Sequence, residues 1–363
     1  MHLGIRNEVG IRERRVAAPP QVVQTLIEEG FEVSIEAGAG DGAGFADLAY
    51  SDVGAQVVPV LTSTGPVDLL LTVSPPDESA VRTVKDGGVV IGLLDPGSDP
   101  ELIDALELRG ITPIAMELIP RTTLAQSIDA LSSQATAAGY AAVLLGATGL
   151  PKFMPMFVTA AGTVPPAKVL VLGVGVAGLQ AIATARRLGA IVHAYDIRPE
   201  TKEQVESLGG RFVEAPTQQM DEGGYARAVD EETAALLREV LAGVVADSDL
   251  VITTAQVPGR KAPRLIDADM VARMQPGSLI IDMAAASGGN VESSVPDEEV
   301  VIDGVRILGP TDLASHVAAD ASRMYGRNLL ELLQRMVTAE GFVVDGEDPI
   351  VGPAIVRGSE VTP

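Results

Sequence analysis

Residues 169–185 read VLVLGVGVAGLQAIATA. A short apolar run enters Gly173, Gly175 and Gly178, spaced G-x-G-x-x-G, and behind them the apolar residues recur at helical spacing. The stretch therefore predicts a strand, a tight turn and a helix. Gly173 permits the turn, Gly175 keeps a side chain away from the place where a pyrophosphate approaches backbone N–H groups, and Gly178 lets the helix pack on the strand. The next strand, AIVHAYD (residues 190–196), ends at Asp196, where a carboxylate accepts hydrogen bonds from the ribose hydroxyls of NAD and repels the 2′-phosphate of NADP. Asp196 also suits a helix N-cap, and Arg198 stands two positions on, able to soften the preference for NAD.

Outward from this motif the same alternation recurs. AKVLVLGVG, AIVHAYD, SDLVITTA and SLIIDMA are strand candidates, with AGLQAIATARRLG and TKEQVESLGG as helices between them. The first third of the chain has its own series. APPQVVQTLIEEG places Val22, Val23, Leu26 and Ile27 at helical spacing, DPELIDALELRG is a helix opened by Asp99 and Pro100, and FEVSIEAGAG, DLLLTV, GVVIGLL and ITPIAMEL read as strands. Strands alternating with helices predict an α/β chain of two Rossmann-like, doubly wound parallel-sheet domains. The expected division is residues 1–130 with 315–363, and 131–314, joined by long helices. One of these is the bland stretch after Asp129, which carries no charge until Lys152. The other is ASHVAADASRMYGRNLLELLQRMV, with Leu329, Leu330, Leu333 and Met336 on one face, returning to the first domain. APTQQMDEGGYARAVDEE, rich in glycine and charge, reads as an exposed loop.

Composition excludes several functions. With 49 acidic against 26 basic residues and a net charge of -23, the chain repels phosphate backbones and anionic lipid, so nucleic acid is not an expected partner. No cysteine is present, and His2, His193 and His316 form no ligand pattern, so no metal site is expected. The first fifteen residues are charged throughout and lack the apolar run of a secretory signal, which points to the cytoplasm. The two uncharged stretches, Ala130 to Pro151 and Val169 to Ala185, are diluted by Ser, Gln, Thr and Gly or follow the strand-turn-helix pattern, so direct membrane insertion is not expected.

The segment PRTTLAQSIDALSSQ (residues 120–134) gathers Arg121, Gln126, Asp129 and Ser132. A helix starting near Thr122 or Thr123 places Leu124, Ile128 and Leu131 on one apolar face, and Gln126, Asp129 and Ser132 towards another. Such a polar edge supplies donors and acceptors for a nicotinamide carboxamide and ribose in a cleft between the domains, or is an ordinary solvated helix face. An alcohol or amine dehydrogenase must also move a proton, and the candidates here are poor. His193 lies in the strand leading to Asp196, facing core or cofactor, and His316 opens the last helix. If the hydride acceptor is itself a nicotinamide, no acid or base is required, and positioning supplies the catalysis.

RTTLAQSIDALSSQATAAGY, TAAGTVPPAKVLVLGVGVAGLQAIATARRLGA, TKEQVESLGG, GGYARA, TTAQVPGRKAP and IIDMAAASGGN resemble the NAD(H)-binding alpha subunits (domain I) of proton-translocating NAD(P) transhydrogenases. The resemblance covers essentially the whole chain. Its opening, RNEVGIRERRVAAPP to GFEVSIEAGAGDGAGFADLAY, is shared with alanine dehydrogenase. The resemblance implies a homodimer of two-domain protomers, peripheral on the inner face of the cell membrane. It would dock on a membrane subunit that conducts protons and face a separate component that binds NADP(H). It further implies that Arg121, Gln126, Asp129 and Ser132 hold the nicotinamide end of NADH, Gln126 also reaching towards the NADP ribose. Gly173, Gly175, Val176, Gly178, Asp196, Ile197 and Arg198 would take the pyrophosphate and adenosine end, Gly224 and Tyr225 would belong to a loop that closes over the nucleotide, and Gln256 would line the adenosine pocket. The alternative is an alanine dehydrogenase-like amino-acid dehydrogenase. Its Lys and His would fall at Thr72 and Leu93 here, which removes its acid-base pair.

Overall fold

Strands covered on both faces require nearly continuous apolar runs, and the chain supplies two sets. The computed structural model describes residues 1–8, 12–215, 231–256, 260–338 and 341–358. By its contacts the chain divides into two units, Met1–Ala137 with Ala314–Pro363, and Ala138–Leu313. In the first unit, β1 (His2–Ile5), β2 (Glu32–Glu36), β3 (Gln56–Val58), β4 (Val67–Leu71), β5 (Val84–Gly92) and β6 (Thr112–Ala115) form one sheet of order β3-β2-β1-β4-β5-β6. All five pairings are parallel. Leu3 lies level with Val33 on one side and Leu69 on the other, so the central strand is packed apolar on both flanks. The connecting helices are α1 (Pro20–Glu28), α2 (Asp47–Asp52), α3 (Glu78–Val81) and α4 (Pro100–Leu108). The start of α4 is legible in the sequence: Asp99 accepts a hydrogen bond from the Leu102 N–H at 3.0 Å, and Pro100 fills a position that needs no donor.

The long helix α5 (Ala130–Gly149) begins later than the sequence pattern predicts. Thr123–Ala125 form a single 3-10 turn, and Leu124 is 79% exposed instead of sharing an apolar face with Ile128. The reason is Asp129. Its carboxylate accepts from the Ser132 N–H at 2.8 Å and the Ser132 hydroxyl at 2.6 Å, so it acts as the cap and the helix starts behind it.

The second unit opens with an antiparallel hairpin, β7 (Phe157–Thr159) and β8 (Gly162–Val164), which is exposed despite its apolar composition. A seven-stranded sheet follows, built from β9 (Lys168–Leu172), β10 (Ile191–Tyr195), β11 (Arg211–Phe212), β12 (Leu250–Thr253), β13 (Leu279–Asp282), β14 (Glu299–Ile302) and β15 (Val305–Leu308). Its order is β11-β10-β9-β12-β13-β15-β14, with α6 (Val176–Arg187), α7 (Thr201–Ser207), α8 (Glu231–Ala246) and α9 (Ala268–Ala272) as helices. All pairings are parallel except β14 with β15, an antiparallel edge that the sequence pattern does not disclose. Asp303 and Gly304, both with positive φ, form the tight turn that reverses the chain there. Leu170, Val171, Leu172, Val251 and Ile252 are fully buried at the sheet centre.

The chain then returns to the first unit through α10 (Ala318–Met336). Its buried face is Tyr325, Leu329, Leu332, Leu333 and Met336, while Leu330 is only partly buried. No described helix is long and apolar enough to cross a membrane.

At the end of β1 the chain buries two charges. Arg6 and Glu8 are 4% and 7% exposed. Glu8 accepts from the Val73 N–H at 2.6 Å and the Ser74 N–H at 3.2 Å, with Arg6 Nε 3.8 Å away. Burial pushes its carboxyl up to about 7, against the pull of Arg6 and of the two N–H donors. The folded chain therefore holds a proton on Glu8 that the unfolded chain, with the ordinary value of 4.5, has released. Stability falls as pH rises between those values and is level again above them. Glu8→Gln cannot ionise. Its stability relative to wild type should improve from pH 5 to pH 8 by on the order of 3 kcal/mol, measured by denaturant unfolding at the two pH values.

Candidate functional site

The glycine turn lies where β9 and β12 run side by side and the connections depart to opposite sides, the place where open α/β sheets bind ligands. Gly173 has φ +97, and its N–H donates to the Tyr195 carbonyl at 2.9 Å. A side chain on Gly178 would collide with the Gly173 carbonyl, so the first turn of α6 rests directly on the end of β9. Gly175 is the residue before α6, and a Cβ built there meets no atom of the described residues within 4 Å beyond its chain neighbours. The first N–H groups of a helix have no partner within it and carry the positive end of its dipole. An open cradle in front of them fits a pyrophosphate. Val176, whose backbone is expected to take part, is the first residue of α6 and is 43% exposed.

Asp196 follows β10, level with the glycine turn, but its oxygens are already engaged. The Val174 N–H donates to Oδ2 at 2.7 Å, and Arg198 donates to Oδ1 from its backbone N–H and from Nε, both at 2.9 Å. A further Arg198 nitrogen reaches Oδ2 at 3.0 Å. Burial alone would raise the Asp196 carboxyl, but the Arg198 side chain and the two backbone donors outweigh it and hold the group below its ordinary value. The carboxylate is thus charged, and a ribose hydroxyl must share it with Arg198. Beside it lies a cavity of about 220 Å³ lined by Tyr195, Asp196, Ile197, Pro199 and Phe212, with the Lys202–Glu214 ion pair in its wall. An apolar slot ending in a carboxylate suits an adenosine.

In the first unit, Asp129 and Ser132 are bonded to each other as the cap of α5, and Arg121 and Gln126 are exposed on the segment before it. Gln256, after β12, donates to the Met283 carbonyl at 3.1 Å and is exposed. Gly224 and Tyr225 lie outside the described residues. Thr72 is fully buried and Leu93 packs on the apolar core. His193 lies within the sheet, level with Leu170 and Arg211, where burial and then the Arg211 charge lower its pKa. Among the described residues no cluster of His, Asp and Glu is placed to hold a metal ion.

Several residues in the site framework escape a reading of the sequence. Thr254 Oγ1 donates to the Gly173 carbonyl at 2.9 Å, bolting the glycine turn to the strand across the switch point. Fully buried Asn290 donates to the Ala255 and Pro263 carbonyls, both at 2.8 Å, and accepts from the Ala255 N–H at 3.1 Å, fixing the backbone next to Gln256. Arg15 forms a two-pronged pair with Glu13 and donates to Gln134 Oε1 at 2.8 Å. Neighbouring residues in the sequence give no sign of these partners, since 81 positions separate Thr254 from Gly173 and 119 separate Gln134 from Arg15.

The two glycines make opposite demands on a substitution. Gly175→Ala should keep stability within about 1 kcal/mol of wild type, since its Cβ enters open space, yet weaken NADH at least about tenfold by filling the cradle. Gly178→Ala should lose about 1–3 kcal/mol of stability through overpacking. Thermal unfolding and calorimetric NADH titration of both variants separate the two effects. Equal stability loss in the two would contradict the cradle geometry.

Residues 4–138 match the alanine dehydrogenase/PNT N-terminal domain, and residues 142–362 match the C-terminal domain of the same family. The chain is 44% identical to an NAD(P) transhydrogenase alpha-subunit chain of Rhodospirillum rubrum, an alignment that covers 98% of this chain and 99% of that one. A transhydrogenase structure from Sinorhizobium meliloti superposes with a TM-score of 0.90 at 42% identity, covering 98% of both chains. An L-alanine dehydrogenase structure superposes with a TM-score of 0.82 at 28% identity, covering 99% of this chain and 96% of that one. With one sheet in Rossmann order, the other sharing its first five strands, and both halves of the chain matched, this protein belongs to the alanine dehydrogenase/PNT family.

Proposed function

We propose that the chain is the NAD(H)-binding subunit of a proton-translocating NAD(P) transhydrogenase. The observation that carries this reading is the coexistence, in one chain, of a cradle that fits a dinucleotide pyrophosphate and a capped segment that presents Arg121, Gln126, Asp129 and Ser132. Thr72 and Leu93 stand where the amino-acid dehydrogenases of the family would carry their Lys and His. The likeness to transhydrogenase alpha subunits supports the same choice.

When bound, NADH supplies a hydride from its C4 that passes with its electron pair to C4 of NADP⁺ on the partner component, giving NAD⁺ and NADPH with no proton to move. The residues of this chain bind and orient. The Val176 and Ala177 N–H groups at the start of α6 face the pyrophosphate, with Gly175 leaving room for it. Asp196 and Arg198 together set the ribose end: the carboxylate selects a hydroxyl over a phosphate, and Arg198 tempers that selection. Ile197 lines the adenosine pocket, and Gln256, which follows β12 and stands outside the lining of that cavity, is a further contact to the nucleotide. Arg121, Gln126, Asp129 and Ser132 take the carboxamide and ribose of the nicotinamide, and Gln126 reaches towards the NADP ribose. Fixing the two rings is worth roughly 7–11 kcal/mol of the barrier, and since no proton moves, no acid or base is called for.

The two portions of the chain, residues 1–130 with 315–363 and 131–314, act as the domains of a protomer in a homodimer. The hairpin surface suits a second copy: Phe153, Met156, Phe157 and Val158 are 59%, 59%, 41% and 73% exposed and sit together there. The membrane proton-channel subunit and the NADP(H)-binding component are separate partners, and the chain is peripheral to the cytoplasmic face of the membrane through them.

The test is reduction of an oxidised NAD analogue by NADPH, with the chain alone and with the two partner components added. Turnover should appear only in the assembly. Gln126→Ala there should slow transfer by about 100-fold while leaving ADP-ribose affinity unchanged. Alanine-dependent reduction of NAD by the chain alone would instead establish an amino-acid dehydrogenase.

A further inference from the structure

The buried face of α10 is apolar but for Ser322, which accepts from the Val16 N–H at 3.0 Å, and Asn328. Between Tyr325 and Leu329, both fully buried, stands Asn328 at 7% exposure. A buried amide is costly unless its donors and acceptor are used, so its partners indicate its task. Asn328 Nδ2 donates to the Ser127 carbonyl at 2.7 Å, and Asn328 Oδ1 accepts from the Ser133 hydroxyl at 2.6 Å. The orientation of the amide is determined by chemistry, since a carbonyl can only accept. Ser127 immediately follows Gln126, and Ser133 immediately follows Ser132. One side chain, some 200 positions away in sequence, therefore grips both ends of the stretch that carries Asp129.

Bonds to Ala321 and Glu331 of the same helix repeat the arrangement, with one between Gln134 and its neighbour Ser133 beside them. Gln134 Nε2 donates to the Ala321 carbonyl at 3.1 Å and to Ser133 Oγ at 3.1 Å, and the Ser127 hydroxyl lies 3.3 Å from Glu331 Oε2. Gln134 is itself held by Arg15, which is locked to Glu13. Among the described residues, only Asn328 bonds to both sides of the cap.

We infer that Asn328 is a positioning residue for hydride transfer, holding residues 127–133 so that Gln126, Asp129 and Ser132 meet the nicotinamide in one fixed arrangement. This inference rests on the nicotinamide assignment made above. Asn328 acts through the backbone of Ser127 and the hydroxyl of Ser133, not on the nucleotide. Removing it leaves the glycine cradle and the adenosine pocket unchanged and loosens only the nicotinamide end.

The full chain is titrated with NADH and with ADP-ribose, which lacks the nicotinamide, and the thermal midpoint of each variant is recorded. Asn328→Leu should weaken NADH about tenfold and leave ADP-ribose within about twofold, and Ser133→Ala should move the NADH to ADP-ribose ratio in the same direction by about threefold. In the assembly, the transfer rate of Asn328→Leu at saturating NADH should fall at least about tenfold, a loss that a weaker KM alone cannot produce. The two ligands weakening together, or an unchanged ratio in folded Asn328→Leu, overturns the inference. If Asn328→Leu does not fold, an unchanged ratio in Ser133→Ala overturns it. Asp129→Ala separates this from the wider reading. If it shifts the ratio while Asn328→Leu does not, the inference alone fails; if Asp129→Ala leaves the ratio unchanged, the nicotinamide assignment fails and takes the inference with it.

Discussion

The second unit depends on one close approach. The helix Val176–Arg187 comes down on the strand Lys168–Leu172 so tightly that a methyl group on Gly178 would occupy the position of the Gly173 carbonyl. That contact aims the first N–H groups of the helix at a space that no described residue fills, and it leaves the Gly173 carbonyl in need of a donor. Thr254, from the strand on the other side of the switch point, supplies it. Backbone groups at the end of a buried strand must be satisfied somewhere, and here their satisfaction ties the nucleotide turn to its neighbours. A rigid cradle follows from a packing constraint and a hydrogen-bond constraint met at the same carbonyl.

The first unit solves a different problem. Among its described residues a partly buried ion pair stands in the connection after β1. Glu13 and Arg15 are paired in two-pronged geometry: burial raises the Glu13 carboxyl, and the Arg15 bonds and charge more than reverse that. Single deletions from such a network leave an unpaired charge inside, so its members act as a unit. Arg15 extends to Gln134 in Ala130–Gly149, which bonds the Ala321 carbonyl, and Asn328 bonds the segment before that helix. Polar residues that read as surface decoration on a bland helix are thus the outer end of a buried framework. Asp129 illustrates the consequence. The carboxylate that caps the helix is also the one that the proposed function assigns to the nicotinamide, so in that reading local structure and site share a residue.

Asp196 shows how a fold-level motif and its local chemistry diverge. An acidic residue at that strand tip implies selection of a ribose hydroxyl. The Arg198 fork on the carboxylate changes the surface presented to a ligand from a bare anion to an ion pair, which still disfavours a phosphate but less sharply. Structures of a transhydrogenase and of an alanine dehydrogenase both superpose on this chain, so the sheets alone do not decide between their chemistries.

The sequence by itself determined the elements whose signals are local. The glycine spacing, the apolar runs of β2, β4, β5, β6, β9, β10, β12 and β13, and the Asp99–Pro100 helix start depend on residues within a few positions of one another, and each stands where the pattern puts it; β1, β3, β11 and β15, also parallel, are short and escape a reading of the sequence. Apolar periodicity misplaces the start of Ala130–Gly149 because it continues through Leu124, while the cap, Asp129, overrides it. Only the tertiary structure decided the antiparallel edge strand, Arg198 folding onto Asp196, and the roles of Thr254, Asn290, Gln134 and Asn328. Each of these rests on a hydrogen bond or a strand pairing whose partner is chosen by three-dimensional proximity. A buried amide or hydroxyl carries no mark in the sequence of the distant carbonyl it will satisfy.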